Sequence, residues 1–150
     1  MPSNIRDNFG NLLGLAGRQW RRALDIRLRP FGLTDATWLP LLHLSRAEKP
    51  MRQKDLAMAM ALDSSSVVRL LDALQASGFI ERREQQDDRR VKTIILTEAA
   101  LAVLTNVEAV AREVRAEVLA GSSDEELEIA ARVMRNISAA LDLPEQEDVG

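Results

Sequence analysis

Apolar residues recur at helical spacing along most of the chain. From Asn8 to Arg29, positions Phe9, Leu12, Leu13, Ala16, Trp20, Ala23 and Leu24 step by three or four. That repeat places them on one face of an amphipathic helix. Pro30 and Gly32 end it, since proline lacks a backbone donor and glycine accepts a left-handed exit. Thr34 is placed to cap a second helix that turns Trp38, Leu41 and Leu42 inward, with Ser45 as a further candidate. Pro40 lies within that pattern and predicts a kink or a late helix start.

Pro50 marks the next break. Arg52 to Met60 reads as a short helix with Leu56, Ala57 and Met60 facing inward. Asp63 can cap the following helix, whose buried stripe is Val67, Leu70, Leu71 and Leu74. Gly78 stands where a helix end takes a left-handed residue. The texture then changes. Glu81 to Arg90 is almost entirely charged or amide, while Val91 to Thr97 is β-branched and alternating. Ile80 to Glu84, a polar loop and Val91 to Leu96 predict a β-hairpin.

Helical spacing returns after Thr97. Leu101, Leu104, Val107, Val110, Ala111, Val114 and Val118 form one stripe. Ser123 with Glu126 resembles a capping box. Leu127, Ala130, Ala131, Met134, Ile137 and Leu141 form the last stripe, and Leu143-Pro144 opens a tail expected to fray. The predicted order is α-α-α-α-β-β-α-α, mainly α with one small hairpin. No internal linker divides the 150 residues, so one domain is expected. The terminal helices are too long and too apolar on one face to be buried by the short middle alone. A homodimer built from both ends is expected.

Charge separates the same regions. The whole chain carries a net −3, yet residues 1–92 sum to +5 and residues 93–150 to −8. The total taken alone argues against a polyanionic partner; the split leaves room for one on the basic part. Acidic solvated helices explain the split equally well. The hydrophobic fraction of 46% fits a globular domain rather than a disordered chain. There is no cysteine, hence no disulfide or thiolate chemistry, and with His43 as the one histidine a multi-histidine metal site is excluded. No metal or cofactor is expected. No apolar run approaches the roughly 18 residues of a membrane span, and Met1 to Asp7 lacks the layout of a signal peptide. A cytoplasmic protein without a membrane partner is the expectation. Nothing in the chain supports catalysis.

Two short helices, a tight turn between them and a polar-tipped hairpin suggest a winged helix-turn-helix. With Val67, Leu70, Leu71 and Leu74 inward, helix geometry puts Ser64, Ser65, Val68, Arg69 and Asp72 on the opposite face. Small hydroxylated side chains let a helix enter a major groove closely, and Arg69 is the long cation suited to a bidentate contact with guanine. Ser64 to Ser66 also suit simple capping, and the two roles are compatible. In the hairpin, Arg82, Arg83, Arg89, Arg90 and Lys92 flank a tip containing Gln85 and Gln86, beside Asp87 and Asp88. A solvated loop of mixed charge explains that run. So does a wing whose arginine enters a narrow minor groove, held in position by a carboxylate.

These segments, in this order, resemble the MarR family of transcriptional regulators. The resemblance rests on Thr34-Asp35-Ala36-Thr37-Trp38, Leu56-Ala57, and the run Leu62 to Leu71 with Leu74 and Gly78-Phe79-Ile80. Its most specific part is the wing pattern met by Arg83, Asp88, Arg90, Leu96 and Thr97. The flanking helices match in number and length, so nearly the whole chain is covered. Ala61 and Ala100 stand where the family often has glycine, and Ala61 is therefore expected to turn without a positive φ. The cysteine that some members use to sense peroxide is absent.

The resemblance implies a homodimer joined by residues 4–32 and 98–143, a DNA-binding lobe over residues 33–97 and a tail over 144–150. It implies that Ser64, Ser65, Ser66 and Arg69 read bases or phosphates. Gln53 and Lys54 would touch the DNA backbone. Arg89 or Arg90 would be the wing-tip cation, with Asp88 orienting it, and Arg83 would be a further DNA-binding residue of the wing. Double-stranded DNA with a palindromic operator is the implied partner. Small anionic aromatic effectors bind many members in a cleft, where Trp20, Trp38 and His43 are candidates, and release the DNA. A repressor of this kind is the implied function; the alternative is a winged-helix dimer that binds a protein instead of specific DNA.

Overall fold

A computed structural model describes residues 4–142. They form α1 (Ile5–Leu28), a 3-10 turn (Arg29–Phe31), α2 (Asp35–Arg46), α3 (Gln53–Met60), α4 (Ser64–Ala76), β1 (Ile80–Glu84), β2 (Lys92–Leu96), α5 (Glu98–Val118) and α6 (Asp124–Leu141). The tail expected from Leu143-Pro144 onward lies outside the described residues. The chain divides into two compact units after Val114. No helix among the described residues is long and apolar enough to cross a membrane.

The first unit is held by one apolar core. Leu28, Trp38, Leu41, Leu56, Val67, Leu71, Ile80, Val107 and Val114 are buried within it. Two of the predicted stop signals, Gly32 and Gly78, act through local devices. Gly32, at φ 74°, donates its amide to the Arg29 carbonyl and ends the 3-10 turn. Gly78, at φ 82°, donates to the Gln75 carbonyl, and Phe79 donates to that of Leu74. That pair of reversed bonds closes α4, and it needs the left-handed conformation glycine adopts without strain.

The hairpin is antiparallel, with Ile80 opposite Leu96 and Glu84 opposite Lys92. The Thr97 hydroxyl donates to the Gly78 carbonyl at 2.6 Å and accepts from the Ala100 amide at 3.3 Å. One side chain therefore ties the base of the hairpin to the start of α5.

Several expectations change. Pro40 neither delays α2 nor interrupts it: the helix starts at Asp35, and the proline ring is buried within it. Thr34 takes the cap position without a side-chain capping bond. Ser45 is exposed and donates to the Leu42 carbonyl, while Leu44 takes the inward place. In α5, Leu101 and Val118 are exposed and Ala100 begins the buried stripe. Ala61 adopts φ 52° and ψ 45°, against the expected turn without a positive φ. The Leu62 amide bonds back to the Ala57 carbonyl at 2.9 Å, and that closure requires the left-handed residue. Alanine accepts it at a cost of about 1–2 kcal/mol.

In the second unit, α6 starts with the capping box expected of Ser123 and Glu126, each bonding the other's amide. None of its side chains is buried.

Candidate nucleic-acid interface

Three elements build the site: the start of α3, the outer face of α4 and the hairpin. Asp63 organises the first turn of α4. Its Oδ1 accepts from the Ser66 amide at 2.7 Å and from the Ser65 hydroxyl at 2.9 Å. The Ser66 amide bond, above the other contributions, holds the Asp63 carboxyl below the ordinary aspartate range. The Ser65 hydroxyl hydrogen is thereby committed, leaving its oxygen to accept, whereas Ser64 makes no such bond.

Along the outer face of α4, Ser64, Ser65, Val68, Arg69 and Asp72 are exposed, as the 3.6-residue geometry requires. Val68, at 37% exposure, is the apolar member of this face. Leu70, expected in the buried stripe, is half-buried at its margin. Arg69 makes no hydrogen bond among the described residues, and its charge acts on Asp63. A long cation extended from a helix whose first turns carry only small side chains can reach a base edge.

The hairpin is anchored to α4. Arg82 Nε donates to Gln75 Oε1 at 2.7 Å and Arg82 Nη2 to Asp72 Oδ1 at 2.6 Å. Arg82 is therefore a brace between β1 and α4, away from the wing tip, and Asp72 is engaged with it. Arg83 pairs with Glu81 at 2.9 Å, on the other face of β1. The loop between the strands closes through the Gln85 amide bonded to the Val91 carbonyl at 2.9 Å. Within it Asp88 accepts from both the Arg90 amide and Arg90 Nε, at 3.0 and 3.2 Å. The Arg90 side chain stays 92% exposed. Of the two candidate tip cations, then, Arg90 is the one held by a carboxylate; Arg89 projects without a hydrogen bond among the described residues.

The start of α3 meets the hairpin directly. Arg52 forms an isolated antiparallel bridge with Thr93, and the Ile94 amide donates to the Met51 carbonyl at 2.8 Å. Arg52 also braces the helix start: its amide, Nε and Nη2 all donate to the Asp55 carboxylate at 3.0–3.2 Å. The Arg52 side-chain bond is the leading cause of a lowered Asp55 pKa. Gln53 and Lys54 follow on the first turn. The bridge brings residues forty-one positions apart together, and no periodicity in the sequence signals it.

The three candidate effector residues are placed differently. Trp38 is fully buried in the core, and its Nε1 donates to Asp25 Oδ1 at 3.3 Å. The core accounts for it. Trp20 lies on α1 with 36% exposure. His43 is half-buried on α2, where burial, then the charges of Arg21 and Arg46, lower its pKa.

A family model described as the MarR family matches residues 31–91. Among solved structures, the transcriptional regulator PA3341 is 39% identical, with the match covering 89% of this chain and 98% of that one at a TM-score of 0.83. CouR from Rhodococcus jostii RHA1, solved bound to p-coumaroyl-CoA, is 25% identical over 90% of this chain and 94% of its own, at 0.78. A mutant MarR from E. coli, solved with operator DNA, is 21% identical over 85% and 91%, at 0.72, a likeness of fold.

Proposed function

The chain belongs to the MarR family of transcriptional regulators, and on that premise we propose that it is a dimeric, sequence-specific DNA-binding repressor released by a small ligand. The observation that carries the DNA reading is the outer face of α4. It is exposed, small at its start, and carries Arg69, whose guanidinium makes no hydrogen bond among the described residues. In this reading Ser64, Ser65, Ser66 and Arg69 enter the major groove. Arg90, oriented by Asp88, and Arg89 address the minor groove, and Arg83 supports the wing's base. Gln53 and Lys54 contact the backbone.

Residues 33–97 act as the DNA-binding lobe, with 4–32 and 98–143 as the dimer helices. The apolar surface left on α1 and α6 supports the dimer: Leu12, Leu15, Ile129, Met134 and Leu141 are all exposed. Two copies related by a two-fold axis match a palindromic operator, with half-sites about 10 bp apart. A small anionic aromatic effector is supported by the cationic surroundings of His43 and by the acyl-CoA bound to CouR. Trp20 and His43 offer it accessible surface, whereas Trp38 is buried in the core and offers none.

Selection of bound duplexes from a random pool, followed by fluorescence anisotropy, tests this. A two-fold-symmetric consensus is expected, with affinity that falls steeply with salt. Recovery of no consensus would overturn specific DNA binding and favour the protein-interaction alternative.

A further inference from the structure

Helix α6 carries two different faces. Leu127, Ala130, Ala131 and Ile137 are half-buried on one, with Met134 and Leu141 exposed along the same stripe. On the other, Glu125, Glu128, Ile129, Arg132 and Arg135 line an open hollow of about 540 Å³. Steps of three and four residues keep these five together, turned away from the stripe. All five are exposed, Ile129 by 54%. None of the four charged side chains makes a hydrogen bond or ion pair among the described residues. Glu128 and Arg132 stand at a spacing that pairs readily within a helix, so their charges are left for another surface. The order of the charges matters: both acids precede Ala130 and both arginines follow it. Helix polarity accounts for acids in the first turn, but not for these arginines, which stand short of the last turn.

We propose that this charged face of α6 docks on the same face of a second copy in antiparallel orientation, joining one dimer to another. The charges are symmetric about Ala130: Glu128 and Arg132 lie two residues to either side, Glu125 and Arg135 five. At about 1.5 Å of rise per residue, a two-fold axis at Ala130 sets Glu128 level with the second copy's Arg132. The same axis sets Glu125 level with the second copy's Arg135. Each pair occurs twice, so four ion pairs form and no acid meets an acid. A parallel copy would set like charge against like. Ile129, one residue from the axis, adds the apolar contact. The 18 residues of α6 span about 27 Å. One helix face of that length falls short of the roughly 800 Å² per partner of a stable interface. The contact is therefore weak, and it suits dimers held on neighbouring DNA sites, where effective concentration replaces affinity. The proposal rests on the dimer reading, which gives the apolar stripe to the first partner and leaves this face to another.

Sedimentation velocity of the full chain, concentrated to about 0.2 mM in about 50 mM salt, tests this. Species larger than the dimer are expected, and raising the salt to about 500 mM should weaken their formation about tenfold. Two variants separate charge from fold. Arg132→Glu/Arg135→Glu makes the face wholly acidic, and Glu125→Arg/Glu128→Arg makes it wholly basic. Each alone should remain a dimer and lose the larger species, and mixing the two should restore them. A wild type that stops at the dimer, variants that associate as the wild type does, or a mixture that fails to assemble would overturn the proposal while leaving the dimer intact. Variants that fall apart into single chains would place this face inside the dimer and also overturn it. A wild type that sediments as single chains would overturn both readings.

Discussion

The winged-helix lobe and the C-terminal helix α6 follow similar apolar periodicity and finish in opposite states. In the lobe, α2, α3 and α4 turn Trp38, Leu41, Leu56, Val67 and Leu71 into a closed core. In α6, the stripe beginning at Leu127 buries no side chain, and Met134 and Leu141 remain 47% and 71% exposed. Periodicity alone records that a helix has an apolar side; it does not say what covers that side. The lobe's covering lies within the chain. That of α6 is sought, in our reading, in a second copy, because exposed apolar stripes of this extent mark interaction surfaces.

Truncating one apolar residue on each side sharpens the contrast most. Leu71→Ala should cost about 2–5 kcal/mol in urea unfolding, since it opens a cavity in the lobe. Met134→Ala should act instead through assembly, raising the concentration at which the dimer dissociates in sedimentation experiments. An equal drop in stability at all protein concentrations for both variants would erase the distinction.

The DNA face gives the next largest effect. Arg69→Ala should reduce discrimination between the selected duplex and single-base variants about tenfold to a hundredfold, measured by competition anisotropy. Arg89→Ala should weaken binding to all duplexes alike. A smaller change is expected at the turn before α4. Ala61→Gly should stabilise the lobe by about 1 kcal/mol in chemical denaturation, because glycine takes φ 52° without the steric penalty.

The smallest effect is a pH dependence. The pKa of His43 is lowered on folding from its ordinary 6.5, so the native state favours the neutral ring. Its contribution is complete above pH 6.5 and declines as pH falls from there toward the folded-state value, where the unfolded chain takes up the proton first. Thermal melts between pH 5 and 7.5 should show this slope, and His43→Gln should flatten it.

What can be read from the sequence is local. Asp63, Gly78 and the Ser123–Glu126 pair act within a few residues of their own position, and all three behave as their residue types dictate. The two strands are legible to within one residue for the same reason. Phase errors arise where two stripes compete: Leu101 and Ala100 both fit helical spacing with Leu104, and packing selects the smaller residue. Ala61 shows the tertiary turn overriding backbone preference. Long-range pairing stays hidden. The Arg82 brace to Asp72 and Gln75 turns one of the arginines flanking the tip back onto α4, and the Arg52–Thr93 bridge adds a residue absent from the sequence-derived site.

The most direct measurement is the stoichiometry and salt dependence of the full chain on its selected duplex, by anisotropy and sedimentation together. Two chains per two-fold-symmetric site, with affinity falling by orders of magnitude between about 50 and 200 mM salt, are expected. A single chain per site, or binding indifferent to both sequence and salt, would contradict a dimeric DNA-reading regulator.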